Sequence, residues 1–282
     1  MYKIIEKKPL SKQVTKLCVD APNVARKALP GQFIVLRANE DSERIPLTIA
    51  DYDREKGIVT IIFQVVGAAT SELNLLAEGE YIHDFAGPLG MPSHLDGLKR
   101  VCVIGGGLGC AIAYPQAKYL HETGAKVDII AGFKNKDIII LEDEMKAACE
   151  NLIVCTDDGS NGRKNLVTDE LKALLEAGNK YDEVIAIGPL MMMKFVCLLT
   201  KEYGVKTTVS MNPIMIDGTG MCGCCRLTVD GKTKFACVDG PDFDGHLVDF
   251  DECIRRSAMY TEFEKNAFDN HKCNLEGVAE NA

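Results

Sequence analysis

The sequence contains no tryptophan, and aromatic residues make up only 6% of its 282 positions. It also lacks an excess of positive charge, because 32 lysines and arginines stand against 41 aspartates and glutamates, a formal net charge of −9. Binding to nucleic acid needs a basic surface that neutralises phosphates, so this composition argues against it. No apolar run reaches the roughly 18–20 residues of a membrane-spanning helix, and MYKIIEKKPL lacks a signal peptide's apolar region. We therefore expect a cytoplasmic protein that does not bind a membrane.

Cysteine, by contrast, is plentiful. Twelve cysteines are many for a protein of a reducing compartment, where a disulfide framework is not expected. Eight of them are scattered and are expected to be small buried hydrophobic residues: Cys18, Cys102, Cys110, Cys149, Cys155, Cys197, Cys253 and Cys273. The other four stand close together, at Cys222, Cys224, Cys225 and Cys237. This second group has the density of a metal site.

The first third of the chain is rich in short strand-like runs, and its length allows about two domains in all. QVTKLCVDA, GQFIVLRA, IPLTIADY and GIVTIIFQVV are separated by Pro, Gly, Asp and Asn, the residues of turns. Their even spacing predicts a small antiparallel β-barrel over residues 1–97.

From residue 98 to residue 210, strand-like and helix-like segments alternate. RVCVIGGGLGCAIAYPQAKYLHETG reads as strand, glycine turn and helix, and AKVDIIAGF as the next strand. DIIILEDEMKAAC is predicted to be a strand end that runs into a helix. Such alternation is typical of an α/β domain with a parallel sheet and right-handed crossovers. The predicted fold is therefore a barrel followed by an α/β domain, a cysteine-rich subdomain over 211–245 and a helical tail over 246–282.

The glycine turn after the first α/β strand is a candidate nucleotide site. Gly105, Gly106, Gly107 and Gly109 form a GGGxG pattern where a backbone can approach a pyrophosphate at a helix N-terminus. A tight structural turn is the alternative. No acidic residue stands where the dinucleotide fingerprint places its ribose ligand, since Asp128 lies inside a strand. The choice between NAD and NADP thus stays open.

Two further strand ends belong to the same predicted edge of the sheet. Asp157 follows NLIVCT, and the pair Gly188-Pro189 follows VIAI. Ligands of open parallel sheets bind at the carboxyl ends of the strands. Each of these strand ends can therefore be either a ligand site or a plain turn.

The cysteine-rich run reads DGTGMCGCCRLTVDGKTKFAC, from Asp217 to Cys237. Cys222 and Cys225 have the spacing of a Cx2C pair, Cys237 follows at Cx11C, and Asp217 stands where a plant-type 2Fe-2S site has its first cysteine. We expect Asp217, Cys222, Cys225 and Cys237 to hold a 2Fe-2S cluster, with Cys224 as a spare or alternative ligand. Zinc on three cysteines and an aspartate is the competing site, and purely structural cysteines remain a third alternative.

The motifs RIPLT, GAAT, GPLG and GGGLG, in this order, resemble the ferredoxin–NADP reductase family over about the first 200 residues. Taken alone, Arg44 and Thr70 suit a surface arginine and a helix cap. The resemblance implies instead that the barrel holds FAD and the next domain a nicotinamide nucleotide. Its implied FAD contacts are Arg44, Pro46, Leu47, Thr48, Ile62, Gln64, Gly67 and Thr70. Its implied nucleotide contacts are Gly105, Gly106, Gly107, Gly109, Asp157, Gly188 and Pro189.

The cysteine motif also resembles the electron-transfer subunit of dihydroorotate dehydrogenase, but that family has four cysteines. The aspartate, MNPIMIDGTGMCG, CVDGPDFDGHLVDFDE and the longer tail are more similar to the small (alpha) subunit family of NADH-dependent reduced ferredoxin:NADP oxidoreductase, or sulfide dehydrogenase beta subunit. That resemblance implies an oxidoreductase subunit of a cytoplasmic heterodimer.

In this reading FAD is reduced by NADH, no side-chain acid or base is needed, and a 2Fe-2S cluster passes electrons to a larger flavin and iron–sulfur subunit similar to the glutamate synthase small subunit. Ferredoxin and NADP would then react at the larger subunit, where electrons are bifurcated. Two alternatives stay open: a dihydroorotate dehydrogenase subunit, and a non-catalytic metal-binding module.

Overall fold

The structure is a computed structural model and describes residues 1–269. Its first part is a seven-stranded antiparallel sheet with the strand order β6-β1-β2-β5-β4-β3-β7. The strands are β1 (Tyr2–Pro9), β2 (Val14–Asp20), β3 (Phe33–Arg37), β4 (Ile45–Asp53), β5 (Ile58–Gln64), β6 (Tyr81–Ile82) and β7 (Asp84–Leu89), with helices α1 (Pro22–Ala25) and α2 (Ala68–Leu75). The two edge strands, β6 and β7, are separated only by His83 in the chain. The sheet therefore curls until its edges are close, which confirms the predicted barrel architecture.

The second part is a six-stranded sheet flanked by helices, with the strand order β10-β9-β8-β11-β12-β15, where β15 is Asp242–Asp244. Its elements are β8 (Arg100–Gly106), α3 (Gly109–Glu122), β9 (Lys126–Phe133), α4 (Glu142–Ala147), β10 (Asn151–Thr156), α5 (Val167–Glu176), β11 (Glu183–Ile187), α6 (Leu190–Glu202) and β12 (Thr207–Ser210). The first five strands of this order are parallel. The α/β domain predicted from the alternating pattern is thus confirmed.

Strand order reverses beside β8, because β9 and β10 lie on one side of it and β11 and β12 on the other. Ile187 at the end of β11 lies opposite Gly105 at the end of β8. Open parallel sheets bind their ligands in the crevice at such a reversal.

The third part follows β12 and contains the cysteine-rich segment. It comprises β13 (Arg226–Val229), β14 (Lys232–Phe235), α7 (Ala236–Asp239), β15 (Asp242–Asp244) and α8 (Phe250–Ser257). β13 and β14 form a hairpin, whereas β15 pairs antiparallel with β12 and extends the parallel sheet. We call residues 211–245 the cysteine lobe. The chain is helical again over 261–269, and residues 270–282 of the predicted helical tail lie outside the described residues.

The three parts share their cores. Phe33 and Val35 of the barrel belong to the same buried cluster as Cys225 and Cys237 of the cysteine lobe. On the other side of the sheet, Ile62 of the barrel joins the buried residues of α3 in a second cluster. Burial of shared apolar surface holds such parts together. The barrel thus packs against both the α/β domain with its six-stranded sheet and the cysteine lobe.

One predicted strand is absent. Residues 137–141 form no strand, and a 3₁₀ turn over Lys136–Ile138 leads through Leu141 into α4. Leu141 has a left-handed backbone (φ 56°), which a strand does not tolerate. The expected start of a strand in DIIIL was therefore wrong, while the helix after it is present. Over residues 1–269, no helix is both long and apolar enough to cross a membrane.

Candidate functional site

The glycines of the GGGxG turn serve two different purposes. A Cβ at Gly105 would lie 2.7 Å from the Cys110 sulfur, and one at Gly109 would lie 2.3 Å from the Ile187 carbonyl oxygen. Gly106 is similarly closed by Met192. Gly105 and Gly109 are thus required by the close packing of β8, α3 and β11, and Gly106 by the packing of β8 against the start of α6.

Gly107 is different, since a Cβ at this position would meet no atom within 4 Å. Its backbone is left-handed (φ 56°), and its N–H donates to the Gly132 carbonyl at 2.8 Å. The turn therefore presents an open backbone surface just before the N-terminus of α3. First-turn amides of a helix have no intrahelical acceptor and suit an anionic group.

The other predicted nucleotide contacts lie at the same edge of the sheet. Pro189 precedes α6, and a Cβ at Gly188 would lie 3.1 Å from both the Cα and the nitrogen of Gly106 at the end of β8. Asp157 follows β10, two strands from β8, and its side chain is exposed. Gly188 and Pro189 are thus at the reversal of strand order, whereas Asp157 is farther along the edge.

Asp128, the one acidic residue of the next strand, is committed elsewhere. It is buried and receives hydrogen bonds from Tyr181 Oη at 2.7 Å and Asn151 Nδ2 at 2.7 Å, and an ion pair from Arg100 at 3.3 Å. A buried carboxylate with this many partners is a structural anchor. Asp128 is therefore engaged within the fold and does not supply a ligand for a ribose.

The predicted FAD contacts of the barrel centre on the N-terminus of α2. Gly67 is the N-cap residue, and a Cβ there would meet nothing within 4 Å. The Thr70 hydroxyl accepts from the Val66 and Gly67 backbone N–H groups at 3.0 Å each and donates to the Gly67 carbonyl at 3.0 Å. Thr70 is therefore a helix cap that fixes the turn, and the first amides of α2 are left to face a ligand.

Arg44 belongs to the loop that leads into β4. Antiparallel pairing sets Ile49 of β4 opposite Ile61 of β5, so β4 begins at the end of the barrel where β5 ends and Gly67 follows. In the loop before Arg44, Ser42 Oγ donates to Glu72 of α2 at 2.5 Å. The loop that carries Arg44 is thus tied to α2, and a guanidinium together with a helix N-terminus suits a diphosphate.

The remaining predicted FAD contacts follow along β4 and β5. Pro46, Leu47 and Thr48 are half-buried on β4, and Ile62 is buried on β5. Gln64 ends β5, and its amide nitrogen lies 3.3 Å from Gln13 Oε1. These residues line one end of the barrel wall that the FAD prediction requires.

Arg44 also connects the barrel to the cysteine lobe. It lines a cavity of about 350 Å³ together with Val35, Phe85 and Asp217. On the lobe's side, a Cβ at Gly218 would lie 2.9 Å from Leu89 and 3.0 Å from Val35. The loop that follows Asp217 therefore rests directly on barrel strands β3 and β7.

Within this loop the Asp217 side chain organises the backbone. Its carboxylate accepts hydrogen bonds from the backbone N–H groups of Thr219 at 3.0 Å and Cys222 at 2.9 Å. These bonds, with the one from Thr219 foremost, lower the pKa of Asp217. The carboxylate is thus held in its ionised form next to Cys222, the form in which it can bind a metal.

The two other predicted ligands form a second pair. Cys225 and Cys237 are buried, and their sulfur atoms lie 3.2 Å apart. Burial, followed by the neighbouring Cys225, raises the pKa of Cys237 to about 12. This thiol keeps its proton at neutral pH unless a metal ion replaces it.

Two pairs of donors suit two metal ions better than one. Among the described residues, no group of three or more His, Cys, Asp or Glu side chains converges on a single point. A tetrahedral zinc site needs four donors around one ion, whereas a 2Fe-2S cluster takes two ligands on each of its two irons. A two-iron cluster would take one pair of ligands from Cys225 and Cys237, and the other from Cys222 with either Asp217 or Cys224, whose side chain also hydrogen-bonds Cys222.

Sequence reasoning missed the arginines around this loop. Arg226 Nη1 donates to the Gly223 carbonyl at 3.1 Å, and Arg256 Nη2 donates to the Cys224 carbonyl at 3.2 Å. Arg226 adjoins the cysteine motif, but Arg256 stands in α8, 31 residues after Cys225 in a polar tail. No motif marks it, and only the fold brings it to the loop.

Known proteins share similarity with this chain both in the cysteine-rich segment and over most of its length. Residues 212–249 match the family described as the iron–sulfur cluster binding domain of dihydroorotate dehydrogenase B. A Thermotoga maritima protein, a homolog of the dihydroorotate dehydrogenase B (NAD(+)) electron transfer subunit, is 46% identical over 95% of each chain. The electron transfer subunit of Fusobacterium nucleatum is 33% identical over 82% of this chain and 91% of its own.

Solved structures extend the similarity to the whole architecture. A structure of the NADH-dependent reduced ferredoxin-NADP oxidoreductase superimposes with a TM-score of 0.91 at 44% identity, covering 96% of this chain and 97% of that one. Ferredoxin-NADP+ reductase of Plasmodium falciparum gives a TM-score of 0.59 at 16% identity, covering 74% and 94%. The second likeness concerns the fold alone.

Proposed function

Because the chain belongs to the family of dihydroorotate dehydrogenase B electron transfer subunits and their homologues, we propose that it is an NADH-oxidising subunit that binds FAD and a 2Fe-2S cluster. Its cluster delivers electrons to a larger partner subunit. Similarity to NADH-dependent reduced ferredoxin-NADP oxidoreductase supports an enzyme of that type, in which the partner serves ferredoxin and NADP.

The two cofactors supply the redox chemistry when bound: a flavin accepts a hydride and releases single electrons, and an iron–sulfur cluster carries one electron at a time. The protein's own residues have to bind and orient these groups. No side-chain acid or base is required for hydride transfer, so we assign no catalytic residue.

In this proposal Gly107 and the first turn of α3 hold the diphosphate of the nicotinamide nucleotide. The amides of the turn are donors, and the open side of Gly107 lets the ligand approach the backbone. Gly188 and Pro189 bound the crevice at the strand reversal, and Asp157 lies at its outer edge. α3 is fixed to the barrel by the ion pair of Lys118 with Asp51 at 2.9 Å, which keeps the crevice against the flavin domain.

FAD is proposed to lie along β4 and β5, with its diphosphate between Arg44 and the N-terminus of α2. Thr70 caps the helix and keeps the Gly67 turn in place, so its contribution to binding is indirect. Pro46, Leu47, Thr48, Ile62 and Gln64 form the wall along which the flavin extends.

The observation that carries the proposal is the contact between the cysteine lobe and the barrel. Gly218 rests on Val35 and Leu89, and Asp217 lines one cavity with Arg44. The proposed cluster ligands are thus next to the proposed flavin domain. Such adjacency is what sequential transfer from nucleotide to flavin to cluster requires.

The test is anaerobic titration of the purified chain with NADH, followed in the visible spectrum. We expect flavin absorbance to bleach and a reduced cluster signal to appear by electron paramagnetic resonance (EPR). NADPH at the same concentration is the comparison for nucleotide preference. A chain that contains flavin but is not reduced by either nucleotide would contradict the proposal.

A second candidate is the electron transfer subunit of dihydroorotate dehydrogenase B, favoured by the match over residues 212–249 and by several relatives with that name. The two candidates differ in the larger subunit. The chain is purified with its native partner. Dihydroorotate is offered as the electron donor for NAD+ reduction, and NADH together with reduced ferredoxin as the donors for NADP+ reduction. NAD+ reduction by dihydroorotate would favour the second candidate, and NADP+ reduction that requires both NADH and reduced ferredoxin would favour the first.

A further inference from the structure

Helix α8 follows the cysteine lobe in the chain and contacts the loop over residues 222–225, which we call the cluster loop. Glu252 Oε2 accepts a hydrogen bond from the backbone N–H of Thr228 at 3.0 Å. One helical turn later, Arg256 donates to the Cys224 carbonyl at 3.2 Å. Residues four apart share a helix face. One face of α8 therefore contacts the chain on both sides of Cys225.

The start of α8 is itself tied to the same strand. The backbone N–H of Asp249 donates to the Thr228 carbonyl at 2.9 Å, and the Asp249 side chain caps the helix by accepting from the Glu252 N–H at 2.8 Å. Buried Cys253 faces the shared core. These contacts fix α8 against β13. The backbone of Arg256 is therefore held next to the cluster loop by the fold.

Two positive charges therefore meet the short segment between two of the proposed ligands. Arg226 donates a hydrogen bond to the Gly223 carbonyl and Arg256 to the Cys224 carbonyl. Gly223 and Cys224 are the two residues between the proposed ligands Cys222 and Cys225. Arginine stays protonated at all ordinary pH values. The charge near the loop is thus permanent.

Arg256 is also half-buried, whereas Arg226 is exposed. Arg226 and Arg256 line a cavity of about 140 Å³ whose other walls include Leu190, Met211 and Tyr260. A charge in such a groove acts through a medium of lower effective dielectric constant than one in open solvent. Its effect on a neighbouring charged group is correspondingly larger.

We propose that Arg256, assisted by Arg226, is a positioning residue that fixes the ligand loop and raises the reduction potential of the 2Fe-2S cluster. This inference rests on the proposed function, because it requires the cluster. Reduction adds one negative charge, and a nearby fixed positive charge stabilises the reduced form. Iron–sulfur potentials respond to net charge and to hydrogen bonding around the site. The arginines thus favour the transfer of electrons from the flavin to the cluster.

The experiment compares three variants of the full chain with the wild type by EPR-monitored redox titration. Arg256→Met removes the charge, Arg256→Lys keeps it, and Arg255→Met removes the adjacent charge, which is exposed on α8. We expect a lower potential for Arg256→Met, largely restored in Arg256→Lys, and no shift for Arg255→Met. All should retain about two irons per chain.

Equal potentials for Arg256→Met, Arg255→Met and the wild type would overturn the inference. If Arg256→Met does not retain iron, Arg226→Met replaces it in the comparison, and an unshifted potential there has the same meaning. A wild-type chain without iron would instead overturn the proposed function. The two failures are therefore distinguishable.

Discussion

The Asp217 carboxylate accepts a hydrogen bond from the backbone N–H of Cys222 at 2.9 Å. Cys222 follows Asp217 by five residues and is the next predicted ligand. The carboxylate therefore has two possible roles: it shapes the loop, and it can bind iron. An amide at the same position could still accept the hydrogen bond, but it is a poor ligand for iron, so substitution separates the two roles.

The first prediction concerns Asp217 itself. Asp217→Asn and Asp217→Ala are both expected to lose iron or to change the EPR spectrum of the reduced cluster, because each removes the carboxylate ligand. Asp217→Cys should retain about two irons per chain with altered g values, since a thiolate is the softer ligand. Iron analysis and EPR of the three variants are the measurements. A wild-type spectrum in Asp217→Asn would show that the carboxylate only shapes the loop and point to Cys224 or another fourth ligand.

The second prediction separates binding from backbone strain at Gly107. Gly107→Ala should weaken NADH binding roughly tenfold or more, a loss of about 1.4 kcal/mol or above, because a methyl group would enter the open side of the turn. Gly124→Ala is the matched control, since Gly124 is also left-handed, also opens on empty space, and follows the other end of α3.

Both alanine variants should lose about 1–2 kcal/mol of unfolding free energy from the left-handed backbone. Fluorescence titration with NADH and denaturant unfolding measure the two effects. If Gly124→Ala weakens NADH binding as much as Gly107→Ala does, the turn has no special part in binding.

The third prediction concerns the flavin diphosphate. Arg44→Met should lower FAD affinity by about 10- to 100-fold, which corresponds to the loss of one charged hydrogen bond of about 1.5–3 kcal/mol. Arg54→Met is the control, because the Arg54 guanidinium lies 4.7 Å from the Tyr52 ring centroid and donates to the Ala28 carbonyl, away from the proposed site. FAD content after dialysis reports the difference. Equal FAD retention in the two variants would remove Arg44 from the proposed site.

The fourth prediction is a pH dependence of stability. The carboxylate of Asp242 lies between Ser93, whose hydroxyl donates to it at 2.5 Å, and Gln116 at 3.3 Å. Within residues 1–269, its Oδ1 atom is buried without a hydrogen-bond partner. Burial raises the pKa of Asp242, so the folded chain holds this proton more tightly than the unfolded chain does.

Since this pKa is higher in the folded chain than in the unfolded one, stability is expected to fall as pH rises from about 4, the ordinary value, through the raised pKa. The wild type should lose about 1.4 kcal/mol of unfolding free energy for each unit by which the pKa of Asp242 is raised. Asp242→Asn has no proton to lose at this position and should not show that decrease. Urea unfolding of both proteins from pH 4 to pH 8 measures the difference. Parallel stability curves would contradict the expectation.

The sequence was sufficient for the barrel, the α/β domain and the candidate ligand run, because these depend on local patterns. It could not show which glycines of the GGGxG turn are needed for packing, since Gly105 and Gly109 have close neighbours at the Cβ position whereas Gly107 has open space there. That distinction depends on neighbours such as Cys110 and Ile187, which only the fold brings close.

Other features could not be predicted from the sequence for similar reasons. β15 has three residues and exists because it pairs with β12, so its sequence carries no strand signal of its own. Arg256 reaches the cluster loop only through the docking of α8. The stretch at residues 137–141 shows the opposite error, because its apolar residues suggest a strand while the left-handed backbone of Leu141 ends any extended run. The predicted domain boundaries stay a prediction, since β15 of the cysteine lobe completes the α/β sheet.

The central claim is that this chain carries both a flavin and a two-iron cluster. The most direct test is the iron, zinc and FAD content of the anaerobically purified chain, together with its visible spectrum before and after NADH. We predict about two irons and one FAD per chain, with both chromophores reduced by NADH. Zinc without flavin would contradict the account and leave only the fold in place.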